Sequence, residues 1–295
     1  MTAGSGGPDL PGGYTERTGR VAVARKLTRR HGREAERLFL AEGPQAVREA
    51  LWLAGTGRSG TVRELFGTGA ALGRHPELAA AAARQRIRVS TVTERAVAGL
   101  SETSTPQGLV AVCEFLDVSL AEVFALVPRP ATGPAGPAGP PGLVAVLADI
   151  RDPGNAGTVL RSADAAGAAA VVFAGESVDP YNGKAVRASA GSLFHLPVVR
   201  GASVPDAVAA ARSAGLAVLV ADGAGEVDLD VLQDGTGLAR PTAWIFGNEA
   251  AGLSSRDAVL ADARIRIPLH GRAESLNLAV AAALCLYASA RAQRR

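Results

Sequence analysis

Apolar runs and amphipathic stretches alternate along the chain, and this alternation predicts a succession of strands and helices. In the first part of the chain, apolar runs of strand length occupy residues 38–43, 62–66, 87–92 and 108–115. Helical spacing of the apolar residues marks the stretches between them, at 44–53, 76–84 and 94–100. The pattern predicts a small α/β domain.

The alternation continues after residue 143 with longer apolar runs. Strands are predicted at 143–150, 170–173, 196–199, 217–221, 242–246 and 264–267. Helices are predicted at 157–166, 184–192 and 203–213, after Ser254, and from Leu276 onward. Continuous apolar runs indicate parallel strands that are buried on both faces. We therefore predict a doubly wound α/β domain with a mostly parallel sheet, in which ligands bind beyond the carboxyl ends of the strands.

Two stretches interrupt the alternation. The first residues are Gly, Pro, Ser and Thr with little apolar content, which predicts a disordered tail. A short Gly-Pro-Ala repeat, far too short for a collagen triple helix, predicts a semi-rigid extended linker further on. The predicted organisation is a tail at 1–18, a first domain at 19–127, the linker at 128–142 and a second domain at 143–295.

Composition limits the class of protein. A chain of 295 residues that is 47% hydrophobic can bury the cores of two domains. Its two cysteines, Cys113 and Cys285, lie far apart in apolar contexts, which argues against a disulfide framework or a zinc site and fits a reducing compartment. No apolar run approaches the roughly 18 residues of a membrane span, and the first residues lack a signal-peptide core. We expect a cytoplasmic protein with neither a membrane segment nor a bound metal.

The net charge is only +3, but the basic residues are unevenly distributed. Arg and Lys are dense between Arg20 and Arg37. Such a run is as often the solvated face of a helix as a functional surface. The functional alternative is contact with nucleic-acid phosphates, because the planar guanidinium of Arg offers several donors to phosphate oxygens.

Polar clusters follow three of the predicted strands. After the first strand of the second domain come Asn155 and Arg161, and a helix begun near Asn155 places Arg161 about one and two-thirds turns further on. We expect this long side chain to reach back over the strand end, although Asn155 alone could be only a helix cap. After the strand 242–246 come Gly247, which permits close backbone approach, and the carboxylate of Glu249.

The third cluster opens the last helix. The preceding strand breaks at Pro268, a turn follows at Gly271, and Ser275 is the expected N-cap. From Leu276 to Tyr287 apolar residues recur at helical spacing, which predicts that this face of the helix packs on another surface. Free backbone N–H groups at such a helix start can bind an electron-rich ligand group.

Common nucleotide and nucleophile motifs do not assemble. Neither a Gly-x-Gly-x-x-Gly after the first strand nor a Walker-type Gly-Lys-Ser/Thr occurs, and Gly223-Ala-Gly225 is too weak to count. The histidines lack a recognisable serine or cysteine partner: His31, His75, His195 and His270. These absences argue against a nucleotide-dependent oxidoreductase and against triad hydrolases.

In this order, the clusters Asn-x-Gly-x-x-x-Arg, Gly-Asn-Glu-x-x-Gly-Leu and Ile-Pro-Leu-x-Gly-x-x-x-Ser-Leu-Asn resemble the motifs of the SpoU (TrmH-like) family of S-adenosylmethionine-dependent RNA ribose 2′-O-methyltransferases. The resemblance covers about Val144 to Ala288. Upstream, Glu42-Gly43 and Thr105-Pro-Gln-Gly-Leu-Val-Ala-Val112 resemble the small L30e-like substrate-binding domain of many members. One departure is Ala250, where many members have glycine.

The resemblance implies a SPOUT-type trefoil knot in the second domain, S-adenosylmethionine as cofactor, and a homodimer with the active site near the interface. Carried over to this sequence, the cofactor-binding residues are Gly247, Ile267, Leu269, Leu276 and Asn277. The implied catalytic residues are Arg161, Asn155, Glu249, Ser275 and Asn277. The residues expected to bind RNA are Arg29, Arg30, Arg33, Thr105 and Gln107.

Methyl transfer to a 2′-hydroxyl first needs alignment of the reactants. A guanidinium rarely loses its proton in a protein, so we expect Arg161 to bind the adjacent phosphate and polarise the hydroxyl. The first domain favours ribosomal RNA over transfer RNA by analogy. A transfer RNA 2′-O-methyltransferase and a non-catalytic RNA-binding protein on a degenerate methyltransferase domain remain alternatives, and the target nucleotide and general base stay open.

Overall fold

The computed structural model of the protein describes residues 13–58, 60–127 and 142–294. Most of the predicted tail and nearly all of the predicted linker therefore lie outside the described residues. Tyr14, at the end of the predicted tail, pairs with the first unit's sheet, and its N–H donates to the carbonyl of Thr91 at 2.8 Å. The expectation of disorder is wrong for this residue, because its backbone is hydrogen-bonded.

The described chain forms two compact units. The first contains the residues up to Phe115 together with the segment Tyr181–Arg187, and the second contains the remainder. The change of unit thus occurs before residue 116, earlier than the predicted linker. Val123 and Phe124, which the sequence analysis assigned to the first domain, are buried in the core of the second unit.

The first unit contains a four-stranded sheet in the order β1-β4-β2-β3. Its strands are β1 (Leu38–Glu42), β2 (Val62–Gly67), β3 (Arg88–Thr91) and β4 (Leu109–Glu114). Strand β4 is antiparallel to β1 and β2, while β2 and β3 are parallel. Its helices are α1 (Gly19–Arg25), α2 (Arg30–Glu36), α3 (Pro44–Gly55), α4 (Gly69–Arg74), α5 (Pro76–Arg84) and α6 (Glu94–Ala98).

The segment Tyr181–Arg187 joins the first unit through aromatic stacking and an ion pair. The Tyr181 ring stacks on the Phe115 ring with centroids 4.2 Å apart. Arg187 donates from Nη1 to the buried carboxylate of Glu42 at 3.1 Å. The sequence pattern does not predict that this segment belongs to the first unit, because its contacts are with residues more than sixty positions away in the sequence.

The second unit contains a seven-stranded sheet in the order β7-β6-β5-β10-β8-β11-β9, with every adjacent pair parallel. Its strands are β5 (Leu143–Ala148), β6 (Ala170–Ala174), β7 (Val198–Ala202), β8 (Ala217–Ala221), β9 (Val227–Asp228), β10 (Thr242–Phe246) and β11 (Ala263–Arg266). Its helices are α7 (Leu120–Leu126), α8 (Pro153–Ala166), α10 (Val204–Ser213), α11 (Leu229–Asp234), α12 (Ser255–Ala258) and α13 (Leu278–Ala292), whereas α9 (Gly183–Ala188) lies almost entirely in the segment that belongs to the first unit. The predicted α/β class with a mostly parallel sheet is confirmed.

Helix α8 begins earlier than predicted because its first turn is capped. The Asp152 carboxylate accepts a hydrogen bond from the Asn155 N–H at 2.8 Å, and Pro153 occupies the first helical position. Proline is favoured there since its missing N–H would have no partner within the helix. Asn155 therefore lies in the first turn of α8, directly beyond the end of β5.

Helix α13 packs through its small residues. The side chains buried on it are Ala279, Ala282, Cys285, Leu286, Ala288, Ser289 and Ala290. Trp244 of β10 donates from Nε1 to the Ser289 hydroxyl at 2.8 Å in the interior. Part of the face predicted to pack is instead solvent-exposed at Val280 (49%), Leu284 (45%) and Tyr287 (53%). Within one chain the predicted packing therefore holds for Ala279 but not for these three side chains, and their burial stays a prediction.

Among the described residues, no helix has the length and apolar character needed to cross a membrane.

Candidate functional site

A cavity of about 820 Å³ lies at the carboxyl ends of β10, β8 and β11. Most of its lining comes from short segments at and beyond the ends of these strands, within 221–223, 246–253, 265–269 and 274–278, and Asn155, Asp228 and Ala281 complete it. This is the edge of the sheet where the sequence analysis expected ligands to bind. The residues predicted for the cofactor and for catalysis that line it are Asn155, Gly247, Glu249, Ile267, Leu269, Ser275, Leu276 and Asn277.

Gly247 starts a tight turn directly after β10. A Cβ atom on it would lie 2.5 Å from both the carbonyl carbon of Gly252 and the nitrogen of Leu253. Such a contact is far inside van der Waals range, so any side chain at 247 displaces the turn. Glycine is required here by close packing of the backbone, which brings the main chain to the cavity wall.

The Asn248 side chain holds this turn in place. Its Nδ2 donates to the carbonyl of Asp149 at 2.8 Å, which ties the turn to the residue after β5. Its Oδ1 accepts from the N–H groups of Ala250 and Ala251 at 3.0 and 3.2 Å. Ala250 is exposed and its φ is not positive, so alanine in place of the family's glycine fits without backbone strain.

A chain of hydrogen bonds joins the three sequence clusters. Asn277 donates from Nδ2 to Asn155 Oδ1 at 3.0 Å, and Asn155 donates from Nδ2 to Glu249 Oε1 at 3.1 Å. The Glu249 carboxylate also accepts from the N–H groups of Arg151 and Asp152, each at 3.4 Å. We call Asn277, Asn155 and Glu249 the amide relay. The relay fixes the relative positions of the loops after β5 and β10 and the start of α13.

Asn277, not Ser275, is the N-cap of α13. Its Oδ1 accepts from the N–H groups of Ala279 and Val280 at 2.9 and 3.3 Å. The prediction for Ser275 is wrong because the helix starts at Leu278, which places the free N–H groups beyond the reach of a side chain at 275. Ser275 lines the cavity as an exposed residue.

Arg161 does not reach the cavity of its own chain. Its side chain is exposed, lines none of the cavity, and makes no hydrogen bond or ion pair with the residues that the structure describes. Six positions along α8 move it about 9 Å along the axis and about 240° around it from Asn155. The expectation that its side chain reaches back over the strand end is therefore wrong within one chain.

Three charged residues at the cavity wall, located beyond β8, in β9 and in β11, are not predicted from the sequence. Asp222, Asp228 and Arg266 all line the cavity. The Asp222 carboxylate accepts from the Ala224 N–H at 2.9 Å and from Arg264 Nε at 3.0 Å. The only signal in the sequence was the position of Asp222 after a buried strand, since β9 has just two residues and shows no pattern.

The basic segment of the first unit separates into exposed and buried arginines. Arg29 and Arg30 are exposed where α2 begins. Arg33 is 2% exposed and donates from Nη1 to the carbonyls of Leu27 and Thr28, each at 3.0 Å. The prediction that Arg33 contacts RNA is wrong, because its guanidinium is buried against backbone oxygens.

Thr105 and Gln107 are exposed in the loop before β4. Gln107 lies beside Gly43: a Cβ on Gly43 would be 2.9 Å from Gln107 Oε1, and the φ of Gly43 is +91°. The two loops that resemble the family's substrate-binding domain are thus neighbours in the first unit. Within the described residues, no group of three or more His, Cys, Asp or Glu side chains is placed to hold a metal ion.

Two family models match the chain. Residues 142–287 match the SpoU rRNA Methylase family, and residues 19–111 match the MRM3-like substrate binding domain.

Two curated proteins and one solved structure illustrate what the chain is similar to. The 23S rRNA (guanosine(2553)-2'-O)-methyltransferase RlmP of Bacillus subtilis (strain 168) is 32% identical over 268 residues, which cover 89% of this chain and 92% of that protein. The 23S rRNA (uridine(2479)-2'-O)-methyltransferase of Streptomyces viridochromogenes is 44% identical over 142 residues, or 47% of this chain and 49% of that protein. The crystal structure of an AdoMet-bound rRNA methyltransferase from Sinorhizobium meliloti matches with a TM-score of 0.76 and 31% identity, covering 93% of this chain and 95% of the other.

Proposed function

This chain belongs to the SpoU rRNA methylase family, and from that premise we propose that it transfers a methyl group from S-adenosylmethionine to a ribose 2′-hydroxyl of ribosomal RNA. The observation that carries the proposal is the amide relay, which links all three family motifs at the wall of one large cavity. RNA is the expected substrate class because DNA lacks the 2′-hydroxyl acceptor.

The cavity fits the cofactor in size and in chemistry. Its volume of about 820 Å³ lies within the roughly 300–1,000 Å³ typical of small-molecule sites. Apolar side chains suit a purine, and carboxylates suit a sulfonium cation. The bound cofactor supplies an electrophilic methyl group. The residues proposed to hold it are Gly247, Ile267, Leu269, Leu276 and Asn277.

Each hydrogen bond of the amide relay can form with only one choice of donor and acceptor. We propose that the loop positions fixed in this way align the reactants. The Glu249 carboxylate only accepts hydrogen bonds, so the Asn155 amide nitrogen faces it. The Asn155 oxygen therefore faces the Asn277 nitrogen, and the Asn277 oxygen caps α13. Asn155, Glu249 and Asn277 act in this proposal by positioning the loops, and Ser275 lies beside them at the cavity wall.

In the proposed homodimer, Arg161 acts at the interface between two copies of the chain. The exposed residues Val280, Leu284 and Tyr287 form an apolar stripe on α13, and α13 packs beside α8, which carries Arg161. We propose that a second copy covers this stripe and that Arg161 serves the substrate phosphate at the interface. Leu284→Glu should convert the dimer to a monomer in light scattering; an unchanged mass would contradict this interface.

In the first unit, Arg29, Arg30, Thr105 and Gln107 are the residues proposed to contact RNA. Replacing Arg29 and Arg30 by Gln should weaken RNA binding and reduce its salt dependence by about one unit of slope for each lost phosphate contact. An unchanged salt slope would remove these arginines from the proposal.

A cytoplasmic location follows from the proposed ribosomal substrate, and the trefoil knot stays a prediction.

The decisive experiment is transfer of labelled methyl groups onto total RNA from a host that lacks this protein, followed by mapping of the 2′-O-methyl position. We expect one labelled nucleotide in ribosomal RNA, with the Asn277→Ala variant as the control that keeps the fold. Label in transfer RNA alone would favour the alternative substrate. Absence of transfer together with RNA binding would favour a non-catalytic binding protein.

A further inference from the structure

The pair Asp228 and Arg266 forms one wall of the cavity. Asp228 ends the short edge strand β9, and Arg266 ends the adjacent strand β11 directly opposite it in the parallel register. Both residues line the cavity, and their side chains are 34% and 48% exposed. They are therefore accessible to a ligand that enters it.

The ion pair uses only part of the hydrogen-bonding capacity of its two members. Arg266 approaches a single carboxylate oxygen, Asp228 Oδ1, with both Nε at 2.8 Å and Nη2 at 2.7 Å. A carboxylate can accept about four hydrogen bonds and a guanidinium donates five. Among the described residues, no group donates to Asp228 Oδ2 and none accepts from Arg266 Nη1. The pair thus presents an unused acceptor next to an unused donor.

The neighbouring pair Asp222 and Arg264 differs because its capacity is used within the chain. Asp222 Oδ1 accepts from the Ala224 N–H, and Oδ2 accepts from Arg264 Nε at 3.0 Å. Arg264 also donates from Nη1 to Glu226 at 3.1 Å and from Nη2 to the Ala224 carbonyl at 3.2 Å. This second pair holds the loop after β8 in place and leaves little for a ligand.

Arg266 is the only Lys or Arg among the described residues that line the cavity, whereas several carboxylates line it. A ligand group that carries a negative charge has no other cationic side chain to bind there. A zwitterion, with its ammonium and carboxylate on one carbon atom, matches an adjacent acceptor and donor of opposite charge.

We propose that Asp228 and Arg266 bind the α-amino-acid end of S-adenosylmethionine, with Asp228 Oδ2 accepting from the ammonium and Arg266 Nη1 donating to the carboxylate. This inference rests on the proposed function, because it requires that the cavity hold this cofactor. It assigns the specificity for the amino-acid half of the cofactor to residues outside the three family motifs.

Calorimetry with two adenosine thioethers tests this assignment. S-adenosylhomocysteine carries the amino-acid end and 5′-methylthioadenosine lacks it. Asp228→Asn should weaken S-adenosylhomocysteine at least tenfold and leave 5′-methylthioadenosine within twofold of the original protein. Arg266→Gln should give the same selective loss. Thermal unfolding of each variant verifies that the fold persists.

Glu226→Gln is the matched control. It also removes one negative charge from an arginine-bound carboxylate, but Glu226 is 65% exposed and does not line the cavity. This variant should leave both affinities within twofold, which separates direct contact from long-range electrostatics. Equal weakening of both thioethers by Asp228→Asn, or no weakening of either, overturns the inference. Failure of the original protein to bind either thioether would instead contradict the proposed function.

Discussion

Replacement of Asn277 by alanine should impair methyl transfer more than it impairs folding. The side chain has two separable tasks: its oxygen caps α13 through the N–H groups of Ala279 and Val280, and its nitrogen donates to Asn155. Loss of an N-cap typically costs about 1 kcal/mol of stability. Because a domain of ordinary stability has roughly 5–15 kcal/mol, nearly all of the variant stays folded.

The loss of methyl-transfer activity should exceed the loss of stability, because Asn155 no longer accepts a hydrogen bond from residue 277. Without the bond from Asn277, the start of α13 and the loop after β5 are no longer tied together at the cavity. A misplacement of about 1 Å between reactants can cost about 100-fold in rate. That factor corresponds to about 2.7 kcal/mol of activation free energy, well above the stability loss.

Asn277→Asp separates the two tasks. Aspartate is as good an N-cap as asparagine, so stability should change by less than about 0.5 kcal/mol, but a carboxylate has no donor for Asn155. Asn155 cannot compensate by turning over, since its oxygen would then face the Glu249 carboxylate. Single-turnover methyl transfer and denaturant unfolding should be measured on both variants. Full activity of Asn277→Asp, or equal free-energy losses in activity and stability for Asn277→Ala, would refute this reasoning.

Three further predictions concern the two cores. Arg33→Ala should lower the free energy of unfolding by about 2–3 kcal/mol, since the buried carbonyl of Leu27 and the partly buried carbonyl of Thr28 lose a charged donor. The exposed Arg30→Ala should change the free energy of unfolding by less than about 0.5 kcal/mol, and equal effects of the two substitutions would contradict the burial argument. Trp244→Phe should cost about 1–3 kcal/mol in denaturant unfolding, because the Ser289 hydroxyl loses its buried donor; a neutral change would mean that this bond contributes nothing. Burial raises the pKa of the Cys285 thiol to about 12, so a thiol reagent at pH 8 should modify it only after denaturation, as followed by mass spectrometry; rapid labelling of the native protein would show that α13 opens.

Most strand positions in the second unit followed from the sequence, whereas β9 and the helices α7 and α11 were not predicted. Runs such as 143–148 and 243–246 are apolar at every position, which is typical of a strand that is buried on both faces. The starts of α8 and α13 differ from the predicted ones, because the position of a helix cap depends on which side chain reaches the free N–H groups. The family assignment is confirmed by the matched family model, since the three motifs are contiguous stretches of sequence.

Contacts between residues distant in the chain could not be predicted from the sequence. The burial of Arg33, the exposed stripe on α13 and the excursion of Tyr181–Arg187 all depend on which surfaces meet. Helical periodicity shows that α13 has apolar residues, but not which stripe the sheet will cover when most of them are alanine.

The sequence by itself determined most of the strands, the α/β class and the three polar motifs, because each is written in consecutive residues. Only the tertiary structure decided that Asn277, Asn155 and Glu249 form one hydrogen-bonded relay and that Arg161 lies away from it. It also brought Asp228 and Arg266 to the wall of the same cavity. The physical reason is that parallel strands distant in sequence end at one edge of the sheet, and strand order, which no local pattern encodes, selects which ends become neighbours.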